Sequence, residues 1–550
     1  SALETLAALK TLRAIVDWLK LHADTGGASP APASAVEIET TLPEVPVSSP
    51  NASGTGVAPG LMRYVLRSTD APRAVAGGQA FSGKQFLVTD DGLGVAASLA
   101  TRLEARGATV RVVDFSEHAA WPEALDQVDG LVHLFGLSSI ARVRDVKRFF
   151  GLVRETLLHK ASCLLVASGL GGNFGYFSGS GTGAPDDFGH GAGVAGMLKT
   201  VTKEWPEVKV HCVDLDVEEP AEELAAYLEI ELLAENPLTE VAWQGGSRHR
   251  VEIIPAPLPL TGAATQIGLD HNSIILLTGG ARGITANLAI ELARRFHCQL
   301  ELVGRSALPR EEEANESLAG DQKALRLALI RQHSEWKPAE VEKEASRVLA
   351  VHEIRQTLAA IRAAGGRVNY TAMDVRDIDA FGLFIEELYR RHGRLDGVIH
   401  GAGVVEDKLL RHKTPESFQR VFDTKVRGAL MLYKLVRDDV RFVVFFSSVA
   451  GAFGNKGQVD YATANDVLDK IAHALQGRIA GRVLSVNWGP WAGAGMVSAE
   501  LEREYARKGI GLIPLDEGID ALLREVQQGT REDAQVVFMC ATPESMGMVS

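Results

Sequence analysis

Cysteine is scarce in this chain: four in 550 residues, Cys163, Cys212, Cys298 and Cys540, far apart and never as a CxxC pair. That spacing excludes a zinc ribbon and a disulfide framework, and no metal site is expected; the thiols read as buried structural groups in a reducing compartment. Long apolar runs are missing too, and none approaches the ~20 residues of a membrane span. Positive charge is in deficit, with 57 Lys and Arg against 70 Asp and Glu and a net charge of −13. Such a balance argues against nucleic acid or an anionic membrane as the main partner. The opening residues are amphipathic and charged, unlike a signal peptide. The expected location is the cytoplasm.

What is present is ordinary globular composition, 46% apolar and 23% charged, with 55 glycines that often follow apolar runs. The length predicts two to four domains. Residues 1–22 read as a helix, with Leu9, Leu12, Val16 and Leu19 on one stripe, and residues 23–58 as an Ala/Pro/Ser-rich linker. Two halves of similar plan follow, 59–265 and 266–550. Each runs apolar strand, glycine turn, helix, strand: "QFLVTDDGLG" then "DGLVHLFGL", and "SIILLTGGARG" then "DGVIHGAGV". Near-continuous apolar strands predict parallel sheet covered on both faces. The fold class expected is α/β, two Rossmann-like doubly wound subdomains, the first degenerate. Residues 307–365 read as a helical surface insertion in the second half, without chemistry of its own.

In the second half, "LLTGGARGITA" follows a strand and opens a helix, so Gly279, Gly280 and Gly283 can bring backbone close to a pyrophosphate at the helix N-terminus. The third glycine of the dinucleotide fingerprint is replaced by Thr285. The next strand ends in Arg305 and Ser306 rather than an acid, a cation and a hydroxyl suited to a 2′-phosphate, which predicts NADPH. The competing reading of Arg305 is an exposed surface charge. Asp374 and Val375 end the following strand, where an acid and an amide can hold the adenine. The first half has Asp90 and Asp91 where phosphates would lie; its Ser168 is in register with Ser448, but its tyrosine slot falls near His190 and Gly191. It is expected to be catalytically empty.

The chemistry concentrates in "SSVAGAFGNKGQVDYATAN", where Ser448 precedes Tyr461 by thirteen residues and Asn465 follows the tyrosine by four. Tyrosine and asparagine share a helix face. A free phenol titrates near ~10 and needs a cation to act at neutral pH, yet the +4 position holds no lysine. Lys425, in the helix preceding the serine's strand, can supply it, Lys and Asn being exchanged between two helices.

These motifs resemble the ketoreductase domains of modular polyketide synthases, within the short-chain dehydrogenase/reductase superfamily. The "TGG…G" turn, the "GRS" arginine, the "H-x-AG" strand end and the Lys–Ser–Tyr–Asn tetrad carry the resemblance, over about residues 60–550. The "TGGARGITA" turn and the long insertion are closest to the ketoreductases of polyunsaturated fatty acid synthases. The resemblance implies that Thr278, Arg282, Ile284, Gly401, Ala402, Gly403, Pro490 and Trp491 join the cofactor site, with Trp488 and Gly489 beside them. It implies reduction of a β-ketoacyl thioester on an acyl carrier protein, with neighbouring megasynthase domains as partners. Tyr461 then donates the proton, Ser448 holds the developing alkoxide, Lys425 lowers the phenol's pKa and Asn465 orients lysine and water. Asp407, last in the loop Val405–Glu406–Asp407, and Phe453, eight residues before the tyrosine, imply a 3R alcohol. The segment through "EREYARKGIGLIP" reads as a lid whose Arg507 and Lys508 meet a carrier or are simply solvated. The N-terminal helix and linker would be the tail of a carrier region, though no carrier "DSL" motif is present. Competing readings are an NADPH-binding scaffold or epimerising domain, and a free-standing short-chain dehydrogenase.

Overall fold

The apolar runs of both halves become strands of a single sheet. In a computed structural model of the chain, residues 59–74, 81–115, 125, 127–176, 189, 191–235, 238–258, 267–310, 318–493 and 499–547 are described. The helix expected over 1–22 and the linker over 23–58 lie outside them. The chain divides into two compact units, one containing Ser306–Arg355 and the other Val57–Arg305 with Gln356–Ser550.

Among the described residues, the larger unit holds fifteen strands. The first eight are β1 (Met62–Asp70), β2 (Gln85–Thr89), β3 (Thr109–Val113), β4 (Gly130–His133), β5 (Cys163–Ser168), β6 (Lys209–Leu215), β7 (Glu240–Gln244) and β8 (Ser247–Pro255). The rest are β9 (Ile274–Thr278), β10 (Gln299–Gly304), β11 (Arg367–Ala372), β12 (Gly397–His400), β13 (Phe442–Ser448), β14 (Arg482–Trp488) and β15 (Gln535–Met539). Their order is β11-β10-β9-β12-β13-β14-β15-β1-β8-β7-β6-β5-β4-β2-β3. The ladders are parallel except where β1 meets β15 and β8 and where β7 meets β8. The β7–β8 hairpin turns on Gly245 and Gly246, both at positive φ (57° and 79°), as a tight two-residue connection requires.

Hydrogen bonds repeat between the halves. Thr89 and His133 face each other across β2 and β4, with Oγ1 to Nδ1 at 3.1 Å. Thr278 and His400 do the same across β9 and β12 at 2.8 Å. Asp129 accepts the Gln85 N–H at 2.9 Å, and Asp396 accepts the Ile274 N–H at 2.9 Å. These equivalent side chains mark one α/β plan used twice.

Sequence patterning did not reveal that β1 and β8 fuse the two arrays. The seam carries a buried ion cluster: Arg63 on β1 donates to Glu525 (Nε to Oε2, 2.5 Å) and Asp533 (2.8 Å), and Arg482 on β14 donates to Glu525 at 2.8 Å. Across the halves, helix Val194–Glu204 packs on helix Val459–Arg478 so closely that a Cβ on Gly196 would lie 2.5 Å from the Ala462 carbonyl oxygen. Within Ser306–Arg355, the helix Gln322–Gln332 is capped by Asp321, which accepts N–H bonds from Lys323 (3.0 Å) and Ala324 (2.9 Å). Its Leu325 and Leu329 bury against Val341, Ala345 and Val348 of helix Pro338–Ala363, a helical pair closed on its own apolar stripe. Cys212, Cys298 and Cys540 are buried, Cys163 is half-buried, and none is paired. Among the described residues no helix is long and apolar enough to cross a membrane, and no His/Cys/Asp/Glu cluster could hold a metal ion.

Candidate active site

The glycine turn after β9 is shaped by close approach. Gly279 has φ +70°, and a Cβ there would lie 3.0 Å from the Gly401 carbonyl carbon and oxygen. Thr285, where the fingerprint predicts glycine, is buried and donates its hydroxyl to the Gly279 carbonyl at 2.7 Å. The space is recovered at Gly401, where a Cβ would meet Thr285 Cγ2 at 2.4 Å. Ala402 N–H donates to Thr278 Oγ1 at 3.4 Å. Arg282 and Gly283 lead into helix Gly283–Phe296, with Ile284 in its first turn.

In the first half the matching helix, Val95–Ala105, carries its own anion. The buried Asp91 carboxylate accepts N–H bonds from Leu93 (2.6 Å), Val95 (3.2 Å) and Ala96 (2.6 Å). A carboxylate already sits where helix N-termini bind phosphate. The second half has Gly280 at the equivalent position. Ser168 donates to Asp214 at 2.8 Å, and a Cβ on Gly191 would lie 2.5 Å from Ser168 Cβ; His190 lies outside the described residues.

Arg305 is exposed at the end of β10. Its charge reaches Asp374, whose carboxyl is held below its ordinary range chiefly by Arg376, hydrogen-bonded to it at 2.6–3.0 Å. Val375 is buried beside Gly428. Ser306 belongs to the other compact unit.

The catalytic candidates converge at the carboxyl ends of β13 and β14. Ser448 closes β13 and caps helix Val449–Phe453, its Oγ accepting from Ala450 N–H at 3.2 Å. Tyr461 and Asn465 stand one turn apart on helix Val459–Arg478. Lys425 comes from helix Pro415–Leu435, and its Nζ lies 5.2 Å from the centre of the Tyr461 ring. That Nζ donates to the Phe446 carbonyl at 2.6 Å. Room for the lysine comes from Gly403, where a Cβ would approach Lys425 Cε to 3.1 Å. Burial pushes the Lys425 ammonium down to about 7, with Asp469 opposing. Burial likewise pushes the Tyr461 phenol up to about 12, against hydrogen bonding from Asn465 and Ser448. Asn465 donates Nδ2 to the Tyr461 carbonyl at 2.7 Å, while its buried Oδ1 has no partner.

Other predicted residues lie around this group. Asp407 accepts from Gln458 Nε2 at 3.0 Å. Phe453 is buried in an apolar cluster with Val449, Ile510, Phe174 and Tyr176. Pro490 accepts the Ile513 N–H at 2.7 Å, and Trp491 packs on Trp488 with ring centres 4.7 Å apart. Lys508 pairs with Glu504 at 2.7 Å, and Arg507 is exposed.

Two supporting residues escaped the sequence. Burial pushes His400 down to about 4, so it is neutral. Its Nε2 donates to the Lys425 carbonyl at 2.8 Å and its Nδ1 accepts from Thr278. The buried Asn487 donates Nδ2 to Ser447 Oγ (3.0 Å), the Ser448 carbonyl (3.0 Å) and Asp469 (2.9 Å). "H-x-AG" and "NWG" contain both, but periodicity alone reads them as strand interior.

A family search matches residues 273–493 to the KR domain. Residues 273–493 belong to the KR-domain family. The chain is 31% identical to a polyunsaturated fatty acid synthase component of Thraustochytrium sp. (strain ATCC 26185 / S-3) over 65% of its length and 13% of that protein. It is 27% identical to polyketide synthase PksL of Bacillus subtilis (strain 168) over 60% of its length and 7% of that protein. It thus spans a small fraction of these curated relatives. Its fold is that of the ketoreductase from the first module of phoslactomycin biosynthesis in Streptomyces sp. HK803. That likeness has a TM-score of 0.62 at 20% identity, over 88% of this chain and 95% of the other. KR domains are oxidoreductases that use a nicotinamide cofactor. The residues present fit one: Gly279, at φ +70° with no room for a Cβ against Gly401, puts bare backbone in the turn that opens helix Gly283–Phe296, where a helix N-terminus favours a pyrophosphate.

Proposed function

We propose that this KR domain reduces a carrier-bound β-ketoacyl thioester to the 3R β-hydroxyacyl thioester with NADPH. The observation that carries the reading is Lys425 reaching Tyr461 from a neighbouring helix, 5.2 Å from the ring centre, with Ser448 and Asn465 beside it. The glycine turn would hold NADPH, with Arg305 at its 2′-phosphate, and the bound cofactor would supply hydride to the β-carbonyl carbon.

The chain's own groups manage the oxygen. A phenol pushed up to about 12 keeps its proton at neutral pH and is a donor, not a base. Tyr461 therefore gives its proton to the carbonyl oxygen as that oxygen becomes an alkoxide. Ser448 donates a hydrogen bond to the same oxygen, stabilising charge that exists only in the transition state. Lys425, tethered to the Phe446 carbonyl, faces the phenolate left behind and returns a proton to it. Asn465 Oδ1 accepts from the lysine or from a water that resupplies it. Asp407 and Phe453 border the substrate and set the face presented to the cofactor. The partners are an acyl carrier protein and neighbouring synthase domains, and the setting is the cytoplasm.

The test is NADPH oxidation with a β-ketoacyl-N-acetylcysteamine thioester, run beside NADH and Tyr461→Phe, with chiral analysis of the alcohol. Turnover with NADPH only, abolished in the variant and giving 3R product, supports the proposal. Cofactor binding without turnover on free or carrier-bound β-keto thioesters moves the assignment to a scaffold.

A further inference from the structure

We propose that helix Val194–Glu204 of the non-reducing half is a positioning element for Tyr461, with Glu204 its decisive residue; the inference rests on the reductase reading above. Thr200, Lys203 and Glu204 stand at i, i+3 and i+4, one face of that helix. Each binds backbone of the segment joining the helix capped by Ser448 to the helix carrying Tyr461. Thr200 Oγ1 accepts the Asn455 N–H at 3.2 Å, and Lys203 Nζ donates to the Gly454 carbonyl at 3.0 Å. Glu204 Oε1 accepts the Gly457 N–H at 2.8 Å. Approach is so close that a Cβ on Gly454, at φ +68°, would lie 2.4 Å from the Lys199 carbonyl carbon.

The other oxygen of Glu204 serves a second segment. Oε2 accepts the Leu410 N–H at 2.7 Å, three residues beyond Asp407. One carboxylate thus fixes the spacing between the stretch bearing Asp407 and the stretch leading to Tyr461. The two stretches are also laced together directly. Lys408 N–H donates to Gly457 O at 2.9 Å. The fully buried Lys413 donates to Asp460 Oδ2 (2.5 Å) and to the Glu406 carbonyl (2.6 Å), while Asp460 Oδ1 accepts the N–H of Tyr461 itself at 2.8 Å. A buried ion pair is often no better for stability than apolar residues of the same volume, so geometry is the better account of its presence. The non-reducing half holds this lattice in register, and losing Glu204 leaves two buried N–H donors orphaned, Leu410 on one stretch and Gly457 on the other.

The experiment compares wild type, Glu204→Gln and Glu204→Ala for kcat, KM, product 3R:3S ratio and NADPH Kd. Glu204→Gln keeps the volume and one of the two acceptors, and its kcat is expected to fall about tenfold, Glu204→Ala further, because small misplacements of reacting groups cost about 100-fold. Substrate KM should change far less, the 3R:3S ratio should erode, and NADPH Kd should stay within about twofold, the glycine turn being untouched. A folded Glu204→Gln with wild-type kcat and product ratio overturns the inference, as does a loss confined to thermal stability. Should Glu204→Ala fail to fold, Glu204→Gln decides alone. Wild-type turnover separates the two levels: with none, the reductase reading falls and takes this inference with it; with turnover and indifferent variants, only the inference falls.

Discussion

Replacing Asn487 by leucine keeps the branched shape on β14 and removes the polar contacts that Asn487 makes behind Ser448. Four buried groups then lose a partner: the Ser447 hydroxyl, which still donates to the Asn465 carbonyl, and three left orphaned, the Ser448 carbonyl, one Asp469 oxygen, and the Gln535 amide that now donates to Asn487 Oδ1 at 2.9 Å. Each of the three orphans costs ~1–3 kcal/mol, so a loss of about 3–9 kcal/mol is expected from a total of ~5–15. The loss also depends on pH. Burial pushes Asp469 up to about 7, with the Ser485 and Asn487 hydrogen bonds pulling down. A carboxyl raised above its unfolded value of ~3.9 contributes stability that is complete below that value and is lost as pH rises through about 7. Without the Asn487 amide the folded value climbs further, so Asn487→Leu should lose more stability at pH 8 than at pH 5. Urea unfolding midpoints at both pH values measure this. A loss below ~1 kcal/mol at either pH, or a larger one at pH 5, would refute the reasoning.

The other expectations are shorter. Arg305→Ala should raise KM for NADPH at least ~10-fold, the weight of a charge-assisted phosphate contact, and leave that for NADH within ~2-fold; equal shifts would make Arg305 a surface charge. Asp91→Ala removes the cap of helix Val95–Ala105, lowering stability by ~1–2 kcal/mol, with turnover unchanged; a fall in kcat would give the first half a direct part in the chemistry. Lys425, held near 7 by burial, loses its charge as pH rises, so kcat/KM for reduction should fall about tenfold per unit above that value; a flat profile would contradict its role.

Much of this was legible in the sequence where chemistry coincides with local pattern. Continuous apolar strands, a glycine turn and a Ser–Tyr spacing are short-range signals, and they located β9, β13 and the helix of Tyr461. What escaped depends on long-range pairing. The strand β1 reads as any nine-residue alternation, yet it docks on β15 and turns two arrays into one sheet, with Arg63 meeting Glu525 across 462 residues of sequence. Glu204 looks like the end of a helix, and only packing of that helix on Val459–Arg478 brings its carboxylate to Gly457 and Leu410. Thr285 reads as a flawed fingerprint, but its hydroxyl closes the turn on Gly279 while Gly401 gives up the volume.

In the proposed site lysine and asparagine trade helices, and slot-by-slot reading of such a motif is then unsafe. The phenol requires a cation within electrostatic reach, and Coulomb energy depends on distance, not on which helix supplies the charge. Lys425 comes within reach of the Tyr461 ring only because three other residues allow it. Gly403 leaves a path for the chain's methylenes, since a Cβ there would lie 3.1 Å from Lys425 Cε. His400 pins the Lys425 backbone carbonyl at 2.8 Å, and the Phe446 carbonyl holds the ammonium at 2.6 Å. At the vacated position, Asn465 is short enough to bind the Tyr461 carbonyl of its own helix while leaving one acceptor uncommitted. A lysine restored at 465 in this chain would therefore bring a second ammonium into the buried space Lys425 already occupies, and repulsion would lower both pKa values. The arrangement is a compensated pair, in which each residue's identity follows from the other's.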